Sequence, residues 1–241
     1  MQRIIGSRDR KTDRNEPYVV WEDRQLLMVR KPPGWLSQEE AHPTLPSIEQ
    51  WAVEDLRRRG ISERPFVKAA HRLDAPVEGL LCLARTSKAL ARLHAAQREG
   101  EWHKVYLVLT VRPLPKEEET LIHHLVQEEG RARVVGPSHP EGQEARLTYR
   151  RLAGCEALIE LHTGRYHQIR AQLAALKCPV EGDLKYGAPQ PQDGIALAHV
   201  SLQLRHPVSA EELCFRYVPE WASPAARDLL QSDGELFPCS E

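Results

Sequence analysis

Apolar and polar positions along the chain form many short runs with a period of two and a few with helical spacing. Tyr18-Val19-Val20-Trp21 and Leu26-Leu27-Met28-Val29 read as strands on either side of a Glu22-Asp23-Arg24 turn. Ser47, with Gln50 three places on, has the capping-box form and opens a helix running to Gly60. Gly79-Leu80-Leu81-Cys82-Leu83-Ala84 is a short apolar run with Pro76 just before it, the mark of a buried strand. Thr86 or Ser87 caps a second helix, with Leu90, Leu93 and Ala96 on one face and Gly100 beyond its end. Residues 104–111 are β-branched and aromatic and predict a strand.

Residues 113–130 are charged and contain proline, and they read as a connection. Residues 131–135 and 144–152 look like the two arms of a hairpin, and 155–161 like a further strand. Thr163-Gly164 breaks the chain before a helix over 166–176. Strands follow at 196–204 and 212–218, and Ser223-Pro224 starts a last helix. Hairpin-linked strands with few helices predict an α+β fold on a mixed, largely antiparallel sheet.

Composition narrows the class without naming a function. The 241 residues are ordinary in apolar content and rich in charge, as expected of a soluble globular protein. No apolar run is long enough to cross a bilayer, so no membrane partner is expected. The N-terminus lacks the apolar centre of a secretion signal. Five scattered cysteines without C-x-x-C argue against zinc and a disulfide framework and fit a reducing cytoplasm. The net charge of −1 does not announce a nucleic-acid binder, but its distribution is uneven. Residues 161–177 hold Arg165, Arg170 and Lys177 with no acid, whereas 211–241 are acidic.

Candidate chemistry gathers at His71-Arg72-Leu73-Asp74, where a carboxylate is expected just outside a rigid strand and beside a cation. A second cluster is Thr163-Gly164-Arg165-Tyr166-His167-Gln168-Ile169-Arg170, with Gly182-Asp183 and Tyr186-Gly187 after it. With Lys104-Val105-Tyr106 between them and Lys31-Pro32-Pro33-Gly34 before them, these residues resemble the RluA-type pseudouridine synthases. That family carries KP-x-G, HRLD, K-x-Y, TGR-x-HQIR and GD-x-x-YG in this order. The resemblance covers roughly residues 18 to 218.

The resemblance implies a long bent sheet with the active cleft along its centre. It implies isomerisation of uridines in tRNA or rRNA, with no cofactor and no metal. It maps the catalytic Asp, Tyr and Arg onto Asp74, Tyr106 and Arg170, the arginine keeping the carboxylate ionised and the tyrosine stacking on the loose base. Arg72 is expected to brace the space left by a flipped base. Lys31, Arg165 and His167 are candidates for phosphate or sugar contacts, with a structural role as the alternative for Lys31 and His167. Leu80, Leu81 and Ile169 are expected to wall the pocket.

The expected division is a loose arm over 1–16, a catalytic domain over 17–220, and a C-terminal helix with an acidic tail over 221–241, acting as a monomer. No S4-type RNA-binding domain is expected.

The chain departs from the family in places. Val77-Glu78 stands where Thr-Ser is usual, and Glu78 is expected to repel RNA or compete for a cation. Tyr166, Gln172 and Cys178 stand where Thr, His and His are common, and they put substrate choice in question. With Val77-Glu78 in place and no S4-type domain expected, an RNA-binding or chaperone module that has lost catalysis is the alternative. A metal-dependent hydrolase is remote, because His123-His124 lacks ligand spacing on a helix and no H-E-x-x-H occurs.

Overall fold

The computed structural model describes residues 2–6, 15–39, 44–190, 194–232 and 234–237. They form twelve strands and four α-helices of an α+β fold. The chain divides into two compact units, Met1–Trp102 with His199–Pro219, and His103–Ala198 with Glu220–Glu241.

The first unit opens with β1 (Gln2–Gly6), so part of the expected loose arm is a paired strand. Residues 7–14 of that arm lie outside the described residues. β2 (Tyr18–Glu22) and β3 (Leu26–Lys31) form an antiparallel hairpin, its turn closed by Asp23 Oδ1, which accepts from the amides of Gln25 and Leu26. α1 (Ile48–Arg58) is capped by the Ser47 hydroxyl, which accepts from Gln50 N. β4 (Lys68–Ala69) and then β5 (Glu78–Ala84) follow; β5 pairs with β3. Every residue of β3 and β5 is buried, which is why both read as unbroken apolar runs rather than alternations. α2 (Ser87–Arg98) takes Thr86 as its cap.

The second unit begins with β6 (His103–Leu109). β7 (Glu118–Glu128) occupies the stretch expected to be a connection. Its core contribution is confined to Leu121, Leu125 and Val126, and its glutamates and histidines hide the period of two. β8 (Arg131–Val135) and β9 (Gln143–Arg151) do not pair with each other; both flank β7. The hairpin is therefore β7–β8, through Glu129-Gly130, where both residues have positive φ. β10 (Glu156–Leu161) lies between β6 and β9. α3 (Gln168–Ala175) and a 3-10 turn over Leu184–Tyr186 complete the unit.

The chain then supplies β11 (Leu197–Arg205) and β12 (Glu212–Tyr217), an antiparallel pair that extends the first unit beyond β5. β1 runs parallel along β12, from Gln2 opposite Leu213 to Gly6 opposite Tyr217. α4 (Pro224–Gln231) belongs to the second unit, where the Glu156 carboxylate accepts from the Ser223 amide and hydroxyl at its N-terminus. Leu236 beyond it is buried, and its carbonyl accepts from Arg150. The tail is thus attached as far as it is described; Asp233 and 238–241 lie outside the described residues.

Candidate active site

Asp74 sits in the segment entering β5, half-buried, and its neighbour Arg72 is exposed. The backbone around Asp74 is pinned from both sides. The Ser37 hydroxyl donates to Leu73 O at 2.9 Å and accepts from Leu73 N at 2.8 Å. Gly34 N donates to Ala75 O at 2.8 Å, and Val77 N closes a turn onto Asp74 O at 3.0 Å. Ahead of the turn, buried His71 accepts from Cys82 N through Nε2, tying the segment to β5. A carboxylate on such a mount has little freedom to move with its main chain.

Lys31 is the centre of this mount, and its burial fits the structural alternative better than a phosphate or sugar contact. It is wholly buried, and its ammonium donates to the carbonyls of Pro32, Ala75 and Val77 at 3.0, 3.0 and 2.7 Å. Burial pushes its pKa down to about 7, against the opposing pull of Asp74 and Glu78 and with the help of neighbouring Arg30.

Glu78 does not face solvent. Its Oε2 accepts from Arg30 Nη2 at 2.6 Å and from the Tyr217 hydroxyl at 2.7 Å, and all three side chains are buried. It does take a cation, as its type suggested, but that cation is internal Arg30. The expectation that it repels RNA is set aside. Burial, then Glu78, pushes the Tyr217 phenol up. The Arg30 guanidinium is held above its ordinary value: burial disfavours its charge, and Tyr217 and Glu78 outweigh that.

Leu80 and Leu81 cannot wall one pocket together, because successive strand residues point to opposite faces. Leu80 lies opposite Arg30, on the face of Glu78, and Leu81 lies opposite Val29. Both are fully buried.

In the second unit, Tyr106 is on β6 opposite Ile159 and is 6% exposed. Lys104, two residues earlier on the same strand, is buried, and burial lowers its pKa. Arg170 is in the first turn of α3 and is clamped by Asp183, Nε to Oδ2 at 2.7 Å and Nη2 to Oδ1 at 2.9 Å. This two-pronged geometry fixes the guanidinium plane. The Tyr186 ring lies 4.9 Å from the Arg170 guanidinium carbon. The Tyr186 hydroxyl in turn accepts from Ala132 N at 2.7 Å and is 2.9 Å from His167 Nδ1.

His167 is buried at the N-terminus of α3 with φ +49°, and its ring stacks on Tyr166 at 3.9 Å. Its partners are internal, so the structural alternative describes it better than a phosphate contact. The positive φ also explains why α3 begins at Gln168 rather than at Tyr166. Arg165 is exposed, with Nε donating to Glu144 O, and Ile169 is 5% exposed. The buried Gln168 amide orders the loop before the helix, its oxygen accepting from the Thr163 hydroxyl and Arg165 N. Two of the departures are internal as well. Gln172 donates to the carbonyls of Leu121 and Ala145, and Cys178 is buried against those of Pro113 and Leu176.

Residue reading missed Ser37, Arg30, Tyr217 and the role of Asp183. The GD-x-x-YG block carried a signal for Asp183, whereas Ser37, Arg30 and Tyr217 had none. Among the described residues no group of three or more His, Cys, Asp or Glu side chains is arranged to hold a metal ion. No helix among them is long and apolar enough to cross a membrane.

Residues 25–175, more than half of the chain, match the family described as RNA pseudouridylate synthase. The chain therefore belongs to that family, the RluA-type pseudouridine synthases that its motifs resemble. The matched span holds Lys31, Asp74, Tyr106 and Arg170, and stops short of Asp183. A mitochondrial pseudouridylate synthase of Xenopus tropicalis, RPUSD4, is 35% identical over 225 residues, covering 75% of this chain and 65% of that protein. Ribosomal large subunit pseudouridine synthase D of Escherichia coli K12 is 26% identical over 237 residues, covering 88% and 68%. The corresponding synthase C of Rickettsia bellii is 28% identical, covering 70% and 56%. The chain thus spans about two thirds or less of the length of the frog and Rickettsia relatives.

Two solved structures share the fold. Human RNA pseudouridylate synthase domain containing 4 superposes with a TM-score of 0.67 at 21% identity, over 81% of this chain and 86% of that one. Human domain containing 1 gives 0.68 at 20% identity, over 88% and 86%.

Proposed function

We propose that this chain is an RNA pseudouridine synthase. In the reaction the N1–C1′ bond of a uridine breaks, the uracil turns, and C5 bonds to C1′. N1 gains a proton and the C5 hydrogen leaves to solvent, so the conversion is an isomerisation. Asp74 is the catalytic carboxylate, acting at the sugar or the base. Tyr106 stacks on the detached uracil, and Arg170, its guanidinium plane fixed by Asp183, is the third catalytic residue. The target uridine is flipped from its stack at a cost of a few kcal/mol, with Arg72 bracing the gap. Exposed Arg165 holds the RNA backbone.

The observation that carries the reading is the rigid, hydrogen-bonded mount of half-exposed Asp74 in a chain of this family. The alternative of an RNA-binding module without catalysis drew in part on Glu78 as an intruding charge, and that part of its support is gone, because Glu78 is buried and paired with Arg30. The substrate is a tRNA or rRNA. The names of the bacterial relatives make large-subunit rRNA the first to test. The four described cysteines are free, in keeping with action in a reducing cytoplasm, and action as a monomer is part of the same proposal.

The test is tritium release from tRNA and rRNA labelled at uracil C5. Release in step with pseudouridine formation is expected. No release from either RNA, where a known synthase is active, contradicts the proposal.

A further inference from the structure

Glu78 is the first residue of β5 and stands four places after Asp74. The turn between them has no slack. Val77 N is bonded to Asp74 O, and the Lys31 ammonium holds the carbonyls of Ala75 and Val77. Immediately after Glu78, β5 presses on β11: a Cβ added at Gly79, whose φ is +119°, would lie 2.3 Å from the His199 carbonyl oxygen. The start of β5 is therefore confined on one side by the backbone of β11. The side chain of Glu78 confines it further. Arg30 lies opposite Leu80, so its guanidinium reaches Glu78 diagonally along one face, and Tyr217 on β12 closes the group. The guanidinium carbon of Arg30 is 5.7 Å from the centre of the Tyr217 ring.

A carboxylate and a guanidinium taken out of water in this way are retained only as a pair, since either alone is an uncompensated buried charge. Glu78 stands where the family resemblance places a serine, and its buried charge is compensated by Arg30.

We propose that Glu78, Arg30 and Tyr217 form a positioning unit that fixes the Asp74 turn at the head of β5, and that Glu78 and Arg30 serve this role only together. The proposal deepens the assignment of Asp74 and rests on it. Glu78 acts through the main chain, and it touches no reacting atom.

The test is a double-mutant cycle with Glu78→Gln, Arg30→Met and the double variant, with Asp74→Asn in each background. Single-turnover tritium release at saturating RNA and RNA affinity are measured at a temperature where circular dichroism shows every variant folded. Each single variant is expected to lose about tenfold or more in turnover, with affinity kept within about threefold. The double variant is expected to recover most of that loss. Unchanged turnover in folded single variants, or losses that simply multiply in the double, would overturn the proposal. Activity surviving Asp74→Asn would instead overturn the assignment of Asp74, a separate outcome. If a single variant does not fold, Tyr217→Phe carries the test, since it removes the hydroxyl's hydrogen bonds to Glu78 and from Arg30 Nε and leaves the charges in place. Turnover about threefold lower at unchanged affinity supports the unit, and unchanged turnover overturns it.

Discussion

Lys31 has four rotatable bonds and a full charge, yet it is buried with its ammonium on three main-chain carbonyls. The consequence is a pH dependence of stability. In the unfolded chain a lysine titrates near 10.4, whereas folded Lys31 titrates at about 7. Between those values the unfolded state binds the extra proton, so stability rises with pH across that window. Below about pH 7 both states carry the proton and the cost of burying it is present in full. Urea unfolding of Lys31→Met is expected to give lower stability from the lost hydrogen bonds. It should also rise less steeply between pH 7 and 10, by up to about 1.4 kcal/mol per unit. Parallel curves for the two proteins would show that Lys31 is not the titrating group. At this scale the sequence revealed which residues matter better than what they do. KPPG and HRLD pointed at Lys31 and Asp74, but the partners of Lys31 are carbonyls, which every residue has, and no side-chain pattern announces them. For the same reason Ser37 passed unnoticed, and Glu78 was expected to repel RNA or compete for a cation because its own partners are 48 and 139 residues away.

Elements with end signals were legible. Ser47, Thr86 and Ser223 cap α1, α2 and α4 as their hydroxyl chemistry predicts. The apolar runs of β3 and β5 were equally plain. β7 was not, because an edge-ward strand with one partly buried face needs few apolar residues, and its charged positions look like loop. Its absence also forced β8 and β9 into a false pairing. β1 has only two apolar residues, Ile4 and Ile5, side by side, so no alternation shows. The junction of α3 with the 3-10 turn is held by the Arg170–Asp183 pair, whose side chains are 5% and 1% exposed. Asp183→Asn keeps the shape and removes the charge, so Arg170 is left buried without its full partner. Chemical denaturation is expected to show a loss of about 3 kcal/mol. Turnover should fall at least about tenfold in the protein that remains folded, as Arg170 loses its fixed plane. A loss below about 0.5 kcal/mol with normal turnover would remove Asp183 from the account.

Across the whole molecule, the motif order foretold family and fold class. The division into two units built from separated stretches of chain left no mark in composition or linkers. Asp74 belongs to the first unit and Tyr106 and Arg170 to the second. With a net charge of −1, the proposed grip on RNA rests on local cations, for which Arg72 and Arg165 are the candidates, rather than on the field of the whole protein. The most direct measurement is single-turnover tritium release from C5-labelled RNA by Asp74→Asn beside the unaltered protein, with RNA affinity determined for both. Affinity retained within a few fold and release abolished is the predicted result; release at a near-normal rate from the Asn variant would contradict it.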